Sequence, residues 1–186
     1  MINIKKKFAF KVQIPKEKQQ ENKFLITKTN SSKECTFIID NIYISDYRKS
    51  LDYEFLIQNK FTHIINCAGG SEKFNPIIFK EFQYFNIKLR DDGNLNLIRP
   101  IFEFISIIKK ITNEKSNKIL IHCYEGISRA PALVCAYLIW KFNFNLENAI
   151  KFVKEKRKCI DINLGFLTQL SDFQMNKDFI DEINEV

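Results

Sequence analysis

One stretch of this 186-residue chain combines residue types and spacing that could do chemistry: His122-Cys123-Tyr124-Glu125-Gly126-Ile127-Ser128-Arg129. A thiol is followed by five residues, one of them glycine, and then by an arginine. The apolar run 118–121 precedes it and the helical run 130–140 follows. Strand, tight loop and helix start in that order turn backbone N–H groups and a helix N-terminus toward one point, where a dianion and a thiolate are both favoured. Arg129 adds a planar, two-pronged donor suited to oxyanions. A cysteine in such a field is a nucleophile near neutral pH. A lone Cys at a strand end is ordinarily a small core residue. The spacing to Arg129, the intervening Gly126 and the strand-loop-helix setting point instead to a nucleophile in an anion cradle.

The elements that must position this cradle can be read from periodicity. Residues 36–39 and 42–44 read as two short strands joined by a turn at Asp40-Asn41. Ser45 or Asp46 is expected to cap a helix that turns Leu51, Phe55 and Leu56 inward and runs to about Lys60. Strands are expected at 62–66, 85–89 and 118–122, and helices at 97–112, 130–141, 146–156 and 164 to about 183. Phe8, Phe10, Val12 and Ile14 alternate with polar or small residues, which predicts a further short strand closed by Pro15. The fold class is α/β: a central mixed sheet of about five strands flanked by helices, with Cys123 at the carboxyl end of a strand, where ligands bind in open α/β sheets.

Composition sets bounds on function. Hydrophobic residues make up 45% while Gly and Pro total only nine, which predicts a mostly folded single domain. The +7 charge is uneven: residues 1–33 hold nine Lys and two Glu, leaving twenty charges of each sign in 34–186. The expected organisation is therefore a basic arm, 1–33, ahead of a charge-balanced catalytic domain, 34–186. That balance gives the folded part no need of nucleic acid as a partner. No apolar run is long enough to cross a bilayer and residues 1–7 lack the apolar core of a secretory signal, so no stable membrane anchor is expected. Five irregularly spaced cysteines suit a reducing compartment. The expectation is a cytoplasmic monomer, with the nucleus as the alternative compartment.

The stretch from His122 to Arg129 resembles the signature of the cysteine-dependent protein tyrosine phosphatases: His-Cys, five residues, Arg. The flanks are similar to the small (atypical) dual-specificity members: Ile42-Tyr43-Ile44-Ser45, Phe61-Thr62-His63-Ile64-Ile65-Asn66, Asn96-Leu97, and Asn163-Leu164-Gly165-Phe166-Leu167-Thr168-Gln169-Leu170. The resemblance covers about residues 36–174. It implies hydrolysis of phosphotyrosine and phosphoserine or phosphothreonine in proteins, through a phosphocysteine on Cys123, with no metal and no cofactor. By the same resemblance, backbone N–H groups of 124–129 (Tyr124, Glu125, Gly126, Ile127, Ser128, Arg129) and the Arg129 guanidinium hold phosphate or another oxyanion. His122 supports the loop. The general acid is assigned to Asp91, five residues before Asn96-Leu97. Asp92 is the alternative, because Asp92-Gly93 resembles the regenerating-liver phosphatases. Ala130 stands where most members carry a hydroxyl that assists release of the sulfur, and this implies slow turnover. Glu125, inside the loop, disfavours highly anionic lipid headgroups. The competing readings are a weakly active or inactive phosphatase fold that binds phosphoproteins, and a phosphoinositide phosphatase.

Overall fold

A computed structural model describes residues 33–69 and 79–176. Its centre is a five-stranded sheet in the order β1-β2-β5-β3-β4, with β1 Thr36–Ile39, β2 Ile42–Ser45, β3 His63–Asn66, β4 Gln83–Asn86 and β5 Ile119–His122. The first pair is antiparallel and the remaining pairs are parallel, which is the mixed α/β sheet expected from the sequence. β5 is buried along its whole length between β2 and β3, and Ser45, His122 and Asn66 share one register at its carboxyl end. A strand buried on both faces reads as a continuous apolar run, as 119–121 does.

Six helices complete the described residues: α1 Tyr47–Ser50, α2 Tyr53–Gln58, α3 Ile98–Ile111, α4 Arg129–Phe142, α5 Leu146–Lys156 and α6 Leu164–Asn176. Along α3, Ile101, Phe104, Ile105, Ile108 and Ile111 recur on one face and are buried there. α4 is different: residues 130–139 are buried all round, so it is the core helix of the larger apolar cluster. Its N-terminus, fixed by that packing, abuts Cys123. Pro131 falls in the first turn, where no intrahelical acceptor is needed. Asn143 ends the helix in the left-handed conformation at φ 54°.

Two expectations need correction. The single helix expected from Ser45 or Asp46 to Lys60 is two, because Asp52 caps a second one: its Oδ1 accepts from Phe55 N at 3.1 Å, as Asp46 Oδ1 accepts from Lys49 N at 3.2 Å. The strand expected at 85–89 is β4, two residues earlier, because pairing with β3 ends at Asn66 opposite Asn86. Ile87 and Leu89 alternate because both are buried in the core, beyond the ladder. The strand expected at 8–14 and residues 177–183 of the last expected helix lie outside the described residues.

Candidate active site

The loop from Cys123 to Ser128 joins β5 to α4, and its carbonyls are held from outside. Tyr124 O accepts from Tyr47 N (3.2 Å), Ile127 O from Asp161 N (2.9 Å) and Gly126 O from the Arg157 Nε (2.8 Å), while Arg157 Nη2 donates to Glu125 O (3.4 Å). Carbonyls turned outward turn the N–H groups of the same peptides inward. One of these is visible as Gly126 N–H, of the Glu125 peptide, donating to Cys123 Sγ at 3.2 Å. Gly126 sits at φ +67°, and a Cβ there would collide with the Ser45 carbonyl and stand 2.7 Å from Arg157 Nη2. Only glycine meets both demands.

Arg157 is 1% exposed, and it also donates to Glu34 O (2.8 Å) and Thr36 Oγ1 (3.0 Å). A guanidinium has five N–H donors in a fixed fork, so one buried side chain can shape several peptide units at once.

Across the loop, Arg129 donates through Nη1 to Leu89 O at 3.3 Å. Its buried Nε has no hydrogen-bond partner among the described residues; Asp91 Oδ2, at 3.6 Å, is too far for one. Asp91 balances its charge at ion-pair distance, but a desolvated donor left without a hydrogen bond is costly unless a ligand meets it. Asp91 Oδ1 accepts from Ser128 Oγ and from Asn163 Nδ2, each at 2.7 Å. Asp92 is placed otherwise: its Oδ1 accepts from Asn94 N at 3.0 Å in an exposed turn, away from the cavity.

Burial drives the electrostatics of the neighbours. It pushes the His122 imidazole down to about 4, against weaker opposing effects of the Cys123 carbonyl and Asp46. His122 is therefore neutral at pH 7, and what it offers the loop is a 3.3 Å contact between Nδ1 and Cys123 O rather than positive charge. Burial also raises the thiols of Cys67 and Cys135, the latter to about 12, so both stay protonated. A cavity of about 710 Å³ opens over Cys123. Asp91, Glu125, Ser128 and Arg129 form its polar floor and rim, and Ile127, Ile162, Leu164 and Leu167 an apolar side. Tyr124, half exposed, stacks on Tyr47 with centroids 4.9 Å apart.

Comparison with known proteins agrees with this geometry. The model of the dual specificity phosphatase catalytic domain matches residues 42–176. The chain belongs to that family. The human Dual specificity protein phosphatase 22 is 31% identical over 140 residues, covering 75% of this chain and 73% of its own length. The Protein-tyrosine-phosphatase MKP1 of Arabidopsis thaliana is 33% identical over 143 residues, 76% of this chain but 18% of its own length, so the chain spans less than a fifth of that relative. Among solved structures, the human tyrosine phosphatase-like serine/threonine/tyrosine-interacting protein superposes with a TM-score of 0.71 at 26% identity, over 78% of this chain and 98% of that one.

In this dual-specificity phosphatase domain the predicted residues Cys123, Tyr124, Glu125, Ile127, Ser128, Arg129 and Asp91 line one cavity. Gly126 and His122 lie buried behind it, and Asp92 stands apart. Two residues lacked a sequence signal for what they touch. Arg157 reads as one more charge at the end of α5, and Asn163 as part of a flanking match. Both act through tertiary contacts, 31 and 72 residues away in the chain.

Proposed function

We propose that this domain hydrolyses phosphate monoesters of tyrosine, and of serine and threonine, in phosphorylated proteins through a phosphocysteine on Cys123. The observation that carries the reading is the cradle: one sulfur inside a loop whose carbonyls are bonded outward, with the unmatched Nε of Arg129 beside it. The thiolate attacks phosphorus, the S–P bond forms and the P–O bond breaks. Inward N–H groups and the guanidinium meet charge on the equatorial oxygens without reorganising. Asp91 protonates the leaving oxygen, then as carboxylate takes a proton from the water that releases inorganic phosphate. The loop N–H groups and Arg129 supply all the charge stabilisation, so the reading invokes no cofactor.

Protein rather than lipid substrates are supported by Glu125 and Asp161 on the cavity lining, which oppose polyanionic headgroups, and by the Tyr124–Tyr47 stack, a flat wall for a phenolic ring. Five free cysteines, including a nucleophile that must stay reduced, support a reducing compartment such as the cytoplasm. Among the described residues no helix is long and apolar enough to cross a membrane.

A second reading, a phosphoprotein-binding module with little turnover, is favoured by Ala130, buried at the start of α4 with no hydroxyl to offer the departing sulfur. Hydrolysis of phosphotyrosine and phosphothreonine peptides that is abolished by Cys123→Ser establishes the first reading. Tight peptide binding without phosphate release favours the second, and preference for phosphoinositide vesicles over peptides overturns both.

A further inference from the structure

The cavity over Cys123 carries more negative charge than its own ligand calls for. Its lining holds three carboxylates, Asp91, Glu125 and Asp161, and one cation, Arg129. Asp91 and Arg129 offset each other across 3.6 Å. Glu125 and Asp161 are exposed, and among the described residues neither is in an ion pair. Arg48, close enough to feel the charge of Glu125, has its Nε on Asp46 Oδ2 at 2.6 Å. Lys88, Arg90 and Lys158 are exposed and do not line the cavity. The backbone holds both acids beside the cradle: Arg157 Nη2 donates to Glu125 O (3.4 Å), and Asp161 N donates to Ile127 O (2.9 Å).

A second observation shows that the ligand extends beyond a phosphate. Leu164 opens α6 at 79% exposure, and Leu167, Ile162 and Ile127 continue the same apolar wall of the cavity. One exposed leucine is ordinary, but four apolar side chains on one wall form a surface that an inorganic anion cannot use. The wall is rigid relative to the segment 91–97. Gly93 and Gly165 meet backbone to backbone, with a Cβ on Gly93 only 3.0 Å from Gly165 Cα. Gln169 Nε2 donates to Leu95 O (2.9 Å), and Gln169 Oε1 accepts from Leu97 N (2.6 Å).

We propose that Glu125 and Asp161 are specificity-determining residues, which select phosphopeptides carrying lysine or arginine close to the phosphorylated residue. The inference deepens the protein-phosphatase reading and rests on it. A dianion on the loop N–H groups is repelled by two uncompensated carboxylates at the rim. That cost falls when the phosphate arrives on a chain that brings its own positive charge, and it rises when the neighbours are acidic. The pairs form at a solvated rim, so they act on capture of the peptide and are screened by salt.

The test compares kcat/KM on phosphotyrosine peptides that differ only in having lysine or glutamate at the positions flanking the phosphorylated residue. Lysine peptides are expected to be preferred roughly tenfold at low salt, with the preference mostly lost at high salt. Glu125→Gln and Asp161→Asn should each reduce the ratio, their combination should bring it near unity, and Asp161→Lys should push it toward glutamate. A ratio taken within one enzyme cancels any loss of catalytic rate or of folded protein, and the salt series needs no variant at all. Equal rates in the unmodified protein, or a preference that survives both salt and the double substitution, overturn the inference and leave the phosphatase reading standing. If no peptide of the set is hydrolysed in a Cys123-dependent way, the phosphatase reading itself fails and the inference falls with it.

Discussion

The two loops that converge on Cys123 are held in place by opposite means. The cradle, 123–128, is fixed from behind: its carbonyls are tied to Tyr47, Arg157 and Asp161, and α4, which it leads into, is buried all round. The loop 91–97 is fixed from the side, by Asn163 and by Gly165 and Gln169 of α6, far along the chain, and several of its own residues are exposed. The division suits the role proposed for each. An oxyanion site gains from rigid N–H dipoles set before the ligand arrives. A proton donor must only reach one atom at one moment, and a few directional side-chain bonds suffice for that.

Perturbing each loop separately should break the comparison if it is wrong. The largest effect is expected at the proposed acid: Asp91→Asn should lower kcat on phosphopeptides by about 10²–10³ while leaving vanadate affinity near that of the parent. Asp92→Asn should do little, and a larger loss from Asp92→Asn reverses the assignment. Next comes Arg157→Met, which leaves the Gly126 and Glu125 carbonyls without their buried partner. A loss of about 3 kcal/mol in urea unfolding is expected, given bonds to a charged donor, together with weaker vanadate binding. Gln169→Ala is the matching lesion on the other loop; it should cost turnover and spare vanadate affinity.

A smaller effect follows from His122. Its pKa, about 4 when folded, lies below the ordinary 6.5, so between those values the unfolded chain binds the extra proton. Stability should therefore be fully present above pH 6.5 and decline as pH falls toward 4, by about 2 kcal/mol between pH 7.5 and 5. Denaturant midpoints across that range check it, and His122→Asn should flatten the decline. The smallest effect is expected at Ala130→Ser: a severalfold faster steady state and a smaller burst of released phenol, because a hydroxyl then meets the sulfur as it departs. An unchanged burst removes the expectation that Ala130 slows turnover.

The cradle was legible in the sequence because its chemistry is compressed into eight consecutive residues, and strand, glycine and helix start each have local signals. Asp91 was legible only through its spacing to Asn96-Leu97, and what separates it from Asp92 in the structure is a pair of contacts no local pattern announces. The missed helix break had a local cause in Asp52, a capping residue between Leu51 and Phe55, where their helical spacing outweighed the cap. The shifted β4 had a nonlocal one: alternation at 85, 87 and 89 records burial, whereas the ladder ends where its partner ends. Arg157 was illegible because nothing along the chain distinguishes a buried guanidinium from its neighbours Lys156, half-buried, and Lys158, exposed.

Gly93 and Gly165 leave no clearance between two pieces of backbone that meet beside the cavity. In a machine this would be a datum surface: a face against which another part is located, useful because nothing lies between. One methyl group inserted there acts as a shim, displacing the Asp91 loop while leaving the sulfur and the backbone bonds of the cradle as they were. Variants at these two glycines should therefore resemble wild type in any assay of occupancy and differ from it only in assays that count turnovers.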